Sequence, residues 1–151
     1  MSGLLDQAPA LARLDGRVVI TPHAGEMASL LDRSREAVEA DPLAVAREVA
    51  GRLRVVVALK GPSTHIATPD GRAWVNESGC IGLGTSGSGD TLAGLVAGLL
   101  ARGAEPAQAL LWGVHVHAEA GARLAKRIGE VGFLARELPG EMPAILAELS
   151  R

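Results

Sequence analysis

The sequence has a single cysteine, Cys80, no tyrosine, one phenylalanine and two tryptophans in 151 residues. One thiol forms no internal disulfide, so a reducing, cytoplasmic setting is expected. The two tryptophans, Trp74 and Trp112, are read as packing residues. No run of Lys or Arg offers a stripe for phosphate backbones, and the net charge is −2. Nucleic acid is therefore excluded as an expected partner. No apolar run approaches membrane-spanning length, so no membrane partner is expected either. The opening residues "MSGLLDQAPALARL" lack a basic start and a long apolar core, so no signal peptide is expected.

What is present suits a packed core. The chain is 48% hydrophobic and 21% charged, outside the range of disordered segments. Its length suits one domain over residues 1–151, without linker or repeat. "RVVIT" (Arg17 to Thr21) predicts a short buried strand, and "GEMASLL" after Pro22 predicts a helix. Asp41-Pro42 is a helix opening: Asp caps, and Pro sits where its missing N–H costs nothing. Leu43, Ala46, Val49, Ala50 and Leu53 then recur at helical spacing. "VVVALK" (Val55 to Lys60) is apolar without alternation, as in a strand covered on both faces of a parallel sheet. "THIATP" and "RAWVN" flank Asp70-Gly71, a hairpin signal. Three helices follow: one carrying Leu92, Leu95, Val96, Leu99 and Leu100, one from about Pro106 to Lys126, and one on "EMPAILAEL". This order points to an α/β sandwich.

The densest local signal is "GTSGSGDTLAG", Gly84 to Gly94. Glycine lets a backbone approach a ligand closely and takes positive φ freely. A helix starting at about Gly89 or Asp90 leaves its first N–H groups unpaired, and with the helix dipole they form an anion site. An Asp beside that site can take a proton from an attacking hydroxyl. Phosphoryl transfer needs both devices. On spacing alone a second reading stands beside it: Ser88 or Asp90 is an ordinary cap and the glycines form a tight turn.

Other matches are excluded by their context. Gly82, Gly84 and Gly87 spell the dinucleotide fingerprint, but that pattern follows a strand directly, and here Glu77 to Ile81 intervene. His117-Ala118-Glu119 resembles the start of a zinc deaminase signature, which needs two further cysteines. His115 and His117, two apart on a helix, point to different sides and form no metal pair. In "LKGPST" the lysine precedes the glycine, so it is not a Walker A loop.

"VVITPHAGEMASLL", "VVVALKGPSTHIATPDGRAWVN" and "GLGTSGSGDTLAGLVAGLLARG" together resemble the ADP-dependent NAD(P)H-hydrate dehydratases of the ribokinase-like superfamily. "HAEAGARLA" and "FLARELPGEMPAIL" follow the family's ending, so the likeness runs from about Val18 onward. G-x-G-D alone is shared by many ribokinase-like kinases; its combination with T-P-H-x-G-E is more specific. The resemblance implies a three-layer α/β/α ribokinase-like sandwich, represented here by its C-terminal part. It implies repair of hydrated NADH or NADPH, with ADP phosphorylating the ring hydroxyl and phosphate then eliminating. By position, Asp90 is the base and a substrate contact, and His23 a substrate contact. Lys60, Gly61, Pro62, Ser63, Thr64 and Gly89 are nucleotide contacts. Ser86, Gly87 and Ser88 complete an anion pocket. Magnesium is expected with the nucleotide phosphates.

The chain departs from the family in places. Ala24 stands where Pro is usual, Ser86 where Gly is common, and Cys80-Ile81 where Asn-Pro is usual. Family domains are nearly twice as long. The expectation is thus an incomplete domain that pairs with itself or with a chain supplying the missing half. A ribokinase-like kinase for a vitamin precursor or sugar, and a non-catalytic nucleotide-binding remnant, are the alternatives.

Overall fold

The computed structural model describes residues 6–149. The chain divides into two compact units, Met1–Val75 and Asn76–Arg151.

In the first unit the order is α1 (Ala8–Ala12), β1 (Val19–Ile20), α2 (Ala24–Leu31), α3 (Arg35–Ala40), α4 (Pro42–Leu53), β2 (Val56–Leu59), β3 (Thr64–Ala67) and β4 (Ala73–Asn76), whose last residue falls in the second unit. Helix α4 begins as its sequence requires. Asp41 Oδ1 accepts from the Ala44 N–H at 3.0 Å, and Pro42 occupies the first turn. Its far end closes on Arg54, in the left-handed conformation at φ +57°. Val45, Ala46, Val49, Ala50 and Leu53 form its buried face; Leu43 is half-buried and Val45 takes the expected core place. Helix α3 has no counterpart in the sequence reading. Six residues with one buried apolar side chain, Val38, are too few to show a period.

The strands lie in the order β1-β2-β3-β4. β1 and β2 are parallel, with Val19 opposite Val56 and Ile20 opposite Val57. β2 and β3 are antiparallel, with Val57 opposite Ala67 and Leu59 opposite His65. The expected parallel environment of "VVVALK" is thus corrected on one side. Only Lys60–Ser63 joins β2 to β3, and so short a connection closes a hairpin, not a crossover. All four β2 residues are buried, as a strand covered on both faces requires. The expectation of a buried strand over Arg17 to Thr21 is also corrected. β1 keeps two residues and both are half-buried, because it is an edge strand with one neighbour among the described residues. Met27, Leu30, Val38, Val49, Leu53, Val57 and Leu59 share one core. Burial of such side chains is worth roughly 1.5–3 kcal/mol each.

The second unit is helical: α5 (Ser88–Ala101), α6 (Pro106–Ile128) and α7 (Leu138–Leu149). Its core joins Val116, Ala120 and Leu124 of α6 to Phe133 and to Leu138, Met142 and Ile145 of α7. Arg123 ties α6 to α7. It donates to Glu119 at 2.9 Å and to Glu148 at 2.5 Å. Both carboxylates hold its guanidinium pKa above the usual range. A 3-10 turn, Ile81–Gly84, leads towards α5. It packs tightly because Gly82 has no side chain. A Cβ there would overlap the Glu130 carbonyl oxygen and the Phe133 ring. Gly82 is therefore a packing residue.

Candidate functional site

In the first unit, "TPHAGE" follows β1 and starts α2. His23 is the N-cap of α2, with extended backbone (φ −88°, ψ 170°). The Glu26 N–H donates to His23 Nδ1 at 3.1 Å, and the His23 N–H donates to Glu26 Oε2 at 2.9 Å. This is a capping box, with imidazole in the place of the usual hydroxyl. Since Nδ1 accepts, Nε2 is the ring nitrogen left to face a ligand; it lies 3.7 Å from Glu26 Oε2. The ring is exposed.

The same motif adjoins "LKGPST". The Lys60 N–H donates to the Pro22 carbonyl at 2.8 Å, and His23 and Lys60 form a parallel bridge that continues the β1–β2 pairing. His23 and Lys60 therefore sit together just beyond the carboxyl ends of two parallel strands. Ligands of open α/β sheets bind in that position. Gly61, Pro62 and Ser63 form the β2–β3 turn, and Thr64 opens β3. Gly61 and Pro62 are exposed; Lys60, Ser63 and Thr64 are half-buried.

In the second unit, α5 starts at Ser88, and its N-cap is Gly87 at φ +86°, ψ −9°. Only glycine takes this left-handed geometry without cost. Gly87 offers no side chain to the helix, and neither Ser88 nor Asp90 caps it. The reading of either residue as an ordinary cap is thereby corrected: the cap position falls one residue before Ser88. The Ser88 N–H donates to Thr85 O at 3.2 Å and the Thr91 N–H to Gly87 O at 3.0 Å. Among the described residues, no backbone hydrogen bond is donated by the N–H groups of Gly89 and Asp90. Asp90 is exposed in the first turn, and Ser86 and Gly87 are exposed beside it. Ser88 is buried instead. Its Oγ and its carbonyl oxygen each lie 3.0 Å from His117 Nε2 on α6.

The structure thus brings His23 together with Lys60 in one unit, and Ser86–Asp90 together with His117 in the other. Two partners escaped the sequence reading. Glu26 completes the box around His23, and its signal was the N3 spacing of a capping box, obscured by histidine as the cap. His117 was considered for metal binding, which its context excluded; no local pattern links it to Ser88. Among the described residues no three His, Cys, Asp or Glu side chains cluster as a metal cage.

A family model described as NAD(P)H-hydrate dehydratase matches residues 3–144. The ADP-dependent (S)-NAD(P)H-hydrate dehydratase of Xanthomonas campestris pv. campestris is 59% identical over 133 residues, covering 88% of this chain and 46% of that protein. The crystal structure of the ADP/ATP-dependent NAD(P)H-hydrate dehydratase of Bacillus subtilis, co-crystallized with ATP/Mg2+, matches with a TM-score of 0.84 at 32% identity. The match covers 88% of this chain and 48% of that one. A ribokinase-like superfamily protein of Enterococcus faecalis matches with a TM-score of 0.76 at 26% identity, over 97% of this chain and 50% of that one. The chain spans about half the length of these relatives. Its α/β fold is ribokinase-like, and it belongs to the NAD(P)H-hydrate dehydratase family.

Proposed function

We propose that this chain, as one partial ribokinase-like domain, serves ADP-dependent dehydration of hydrated NADH or NADPH. The observation that carries the reading is the start of α5: backbone donors without a side-chain cap, and Asp90 exposed in the same turn. The Gly89 and Asp90 N–H groups and the helix dipole would hold phosphoryl oxygens. Asp90 would accept the proton of the ring hydroxyl as its oxygen bonds to phosphorus, and the bond from that phosphorus to the ADP bridging oxygen breaks, leaving AMP. The C–O bond of the new ester then breaks, phosphate departs, and loss of a ring proton restores the dihydronicotinamide. Lys60 through Thr64 would contact the adenine nucleotide, and Nε2 of His23 the substrate. Magnesium, carried by the nucleotide, would neutralise phosphate charge. A cytoplasmic setting suits these substrates, and among the described residues no helix is long and apolar enough to cross a membrane.

The outer edge of β1 pairs with no strand among the described residues. Such an edge recruits a further strand. We expect the chain to associate with itself or with a chain carrying the remaining length of its relatives. The test is a repair assay with hydrated NADH and ADP, run beside calorimetric titration with ADP and light scattering after size exclusion. Formation of NADH, AMP and phosphate in equal amounts supports the reading. A folded sample that neither binds ADP nor repairs, alone or complemented, refutes it.

A further inference from the structure

His117 and Ser88 make a contact that the proposed chemistry does not use directly. They lie 29 residues apart in sequence, on α6 and α5, and both are buried. His117 Nε2 is 3.0 Å from the Ser88 carbonyl oxygen and 3.0 Å from the Ser88 hydroxyl. A carbonyl oxygen only accepts. The first contact is therefore a hydrogen bond only if Nε2 carries its hydrogen. An unprotonated Nε2 would set two lone pairs against each other at that distance. With Nε2–H as donor, the hydrogen is shared between the carbonyl and hydroxyl oxygens of one residue. The serine hydroxyl then accepts from His117, and its own hydrogen is left to point elsewhere.

We propose that His117 is a positioning residue for phosphoryl transfer: its Nε2–H fixes Ser88, and through Ser88 the glycine turn and Asp90. The proposal rests on the functional reading given above. The need for such an anchor follows from the loop. Gly87 at φ +86° is conformationally permissive, and no side chain caps α5. A loop this bare must be held from outside if its N–H groups are to keep one geometry. His117 grips the residue immediately after Gly87 by both its main chain and its side chain. Burial strengthens the grip, because water does not compete there.

The test compares His117→Leu, which removes the donor, with His117→Gln, whose amide N–H reaches a position near Nε2. Both are made in the 151-residue chain. Amide exchange at Gly87–Thr91 is read together with ADP affinity. In His117→Leu, exchange at Gly87–Thr91 should quicken relative to the rest of α5 and to α7, and ADP should bind about tenfold more weakly. His117→Gln should restore both to within about threefold. Where repair turnover is measured, kcat should fall in the leucine variant with KM for hydrated NADH little changed. Ser88→Ala keeps the carbonyl and removes the hydroxyl, so it should show a smaller loss. It also decides the matter if the leucine variant fails to fold. Unchanged exchange at Gly87–Thr91, or uniform quickening across the unit, overturns the proposal. If the wild-type chain neither binds ADP nor repairs, alone or complemented, the functional reading fails. The exchange data still decide whether His117 holds the α5 start.

Discussion

Helices α2 and α5 both start within a polar, glycine-bearing motif, and their first turns are finished in opposite ways. At α2 the motif satisfies its own backbone: His23 and Glu26 each take an N–H of the other residue. At α5 no side chain closes the turn, and Asp90 remains exposed. Helices α3 and α4 resemble α2, capped by Ser34 and Asp41. Helix α6 also lacks a side-chain cap, but it begins with Pro106, which has no N–H to satisfy. A missing cap costs roughly 1 kcal/mol. The open turn at α5 thus forgoes stability that the chain supplies at its neighbours. Where a local rule is broken without a compensating contact, a ligand is the expected compensation. By the same comparison, the polar residues of "TPHAGE" already have a structural task, whatever else they do.

The largest expected effect tests the open end. Asp90→Asn should lower the repair rate about 100-fold or more, because asparagine cannot take the hydroxyl proton. Stability should fall by less than about 1 kcal/mol, the worth of one acidic side chain on a helix N-terminus. Turnover and thermal unfolding measured on the same samples check this. Near-normal turnover with a clear loss of stability would make α5 resemble α2 and dissolve the contrast.

Next comes the support of the open turn. Gly82→Ala places a methyl group against the Glu130 carbonyl and the Phe133 ring. Backbone does not yield cheaply, so a loss of about 1–3 kcal/mol is expected in denaturant unfolding. Gly51, on the exposed side of α4 with open space around it, is the control. Gly51→Ala should stabilise by about 0.5–1 kcal/mol.

How much of this could be read in advance differs between the two ends. Asp41-Pro42 announced α4 because both signals act within one turn. The glycine-serine loop announced a helix start, but not that Gly87 rather than Ser88 holds the cap position. That difference is one of backbone dihedral, which composition does not specify. The His23–Lys60 bridge and the His117–Ser88 contact join distant segments, so no local pattern contains them. The direction of β3 was readable in principle from the short Lys60–Ser63 connection. The apolar run of β2 outweighed it, since burial on both faces looks the same in parallel and mixed sheets.

A smaller effect separates the two tasks of His23. His23→Ala should cost about 1 kcal/mol, as loss of an N-cap does. His23→Asn should restore most of that stability, because asparagine is a strong N-cap, while offering no equivalent of Nε2. If His23 touches substrate, the asparagine variant should show a raised KM for hydrated NADH at near-normal stability. Unaltered KM in that variant would confine His23 to capping.

The smallest effect acts at the residue next to it and has the opposite sign. Ala24 is the first helical residue of α2, where the family pattern usually has proline. Proline is favoured there because its fixed φ suits the helix and its missing N–H is one of the orphans. The residue before a proline must be extended, and His23 already is, at φ −88° and ψ 170°. No backbone change is therefore needed to accept the ring. Ala24→Pro should reduce the freedom of the unfolded chain and stabilise by about 0.4–1 kcal/mol. Ala24 is buried, so the ring's added carbons must find room against the core. Chemical denaturation decides between the two terms. A rise in midpoint with an unchanged slope means that the closed end of the molecule was left short of its best cap. A fall means that the alanine is required by packing, and that the departure from the family pattern is an adaptation of this core.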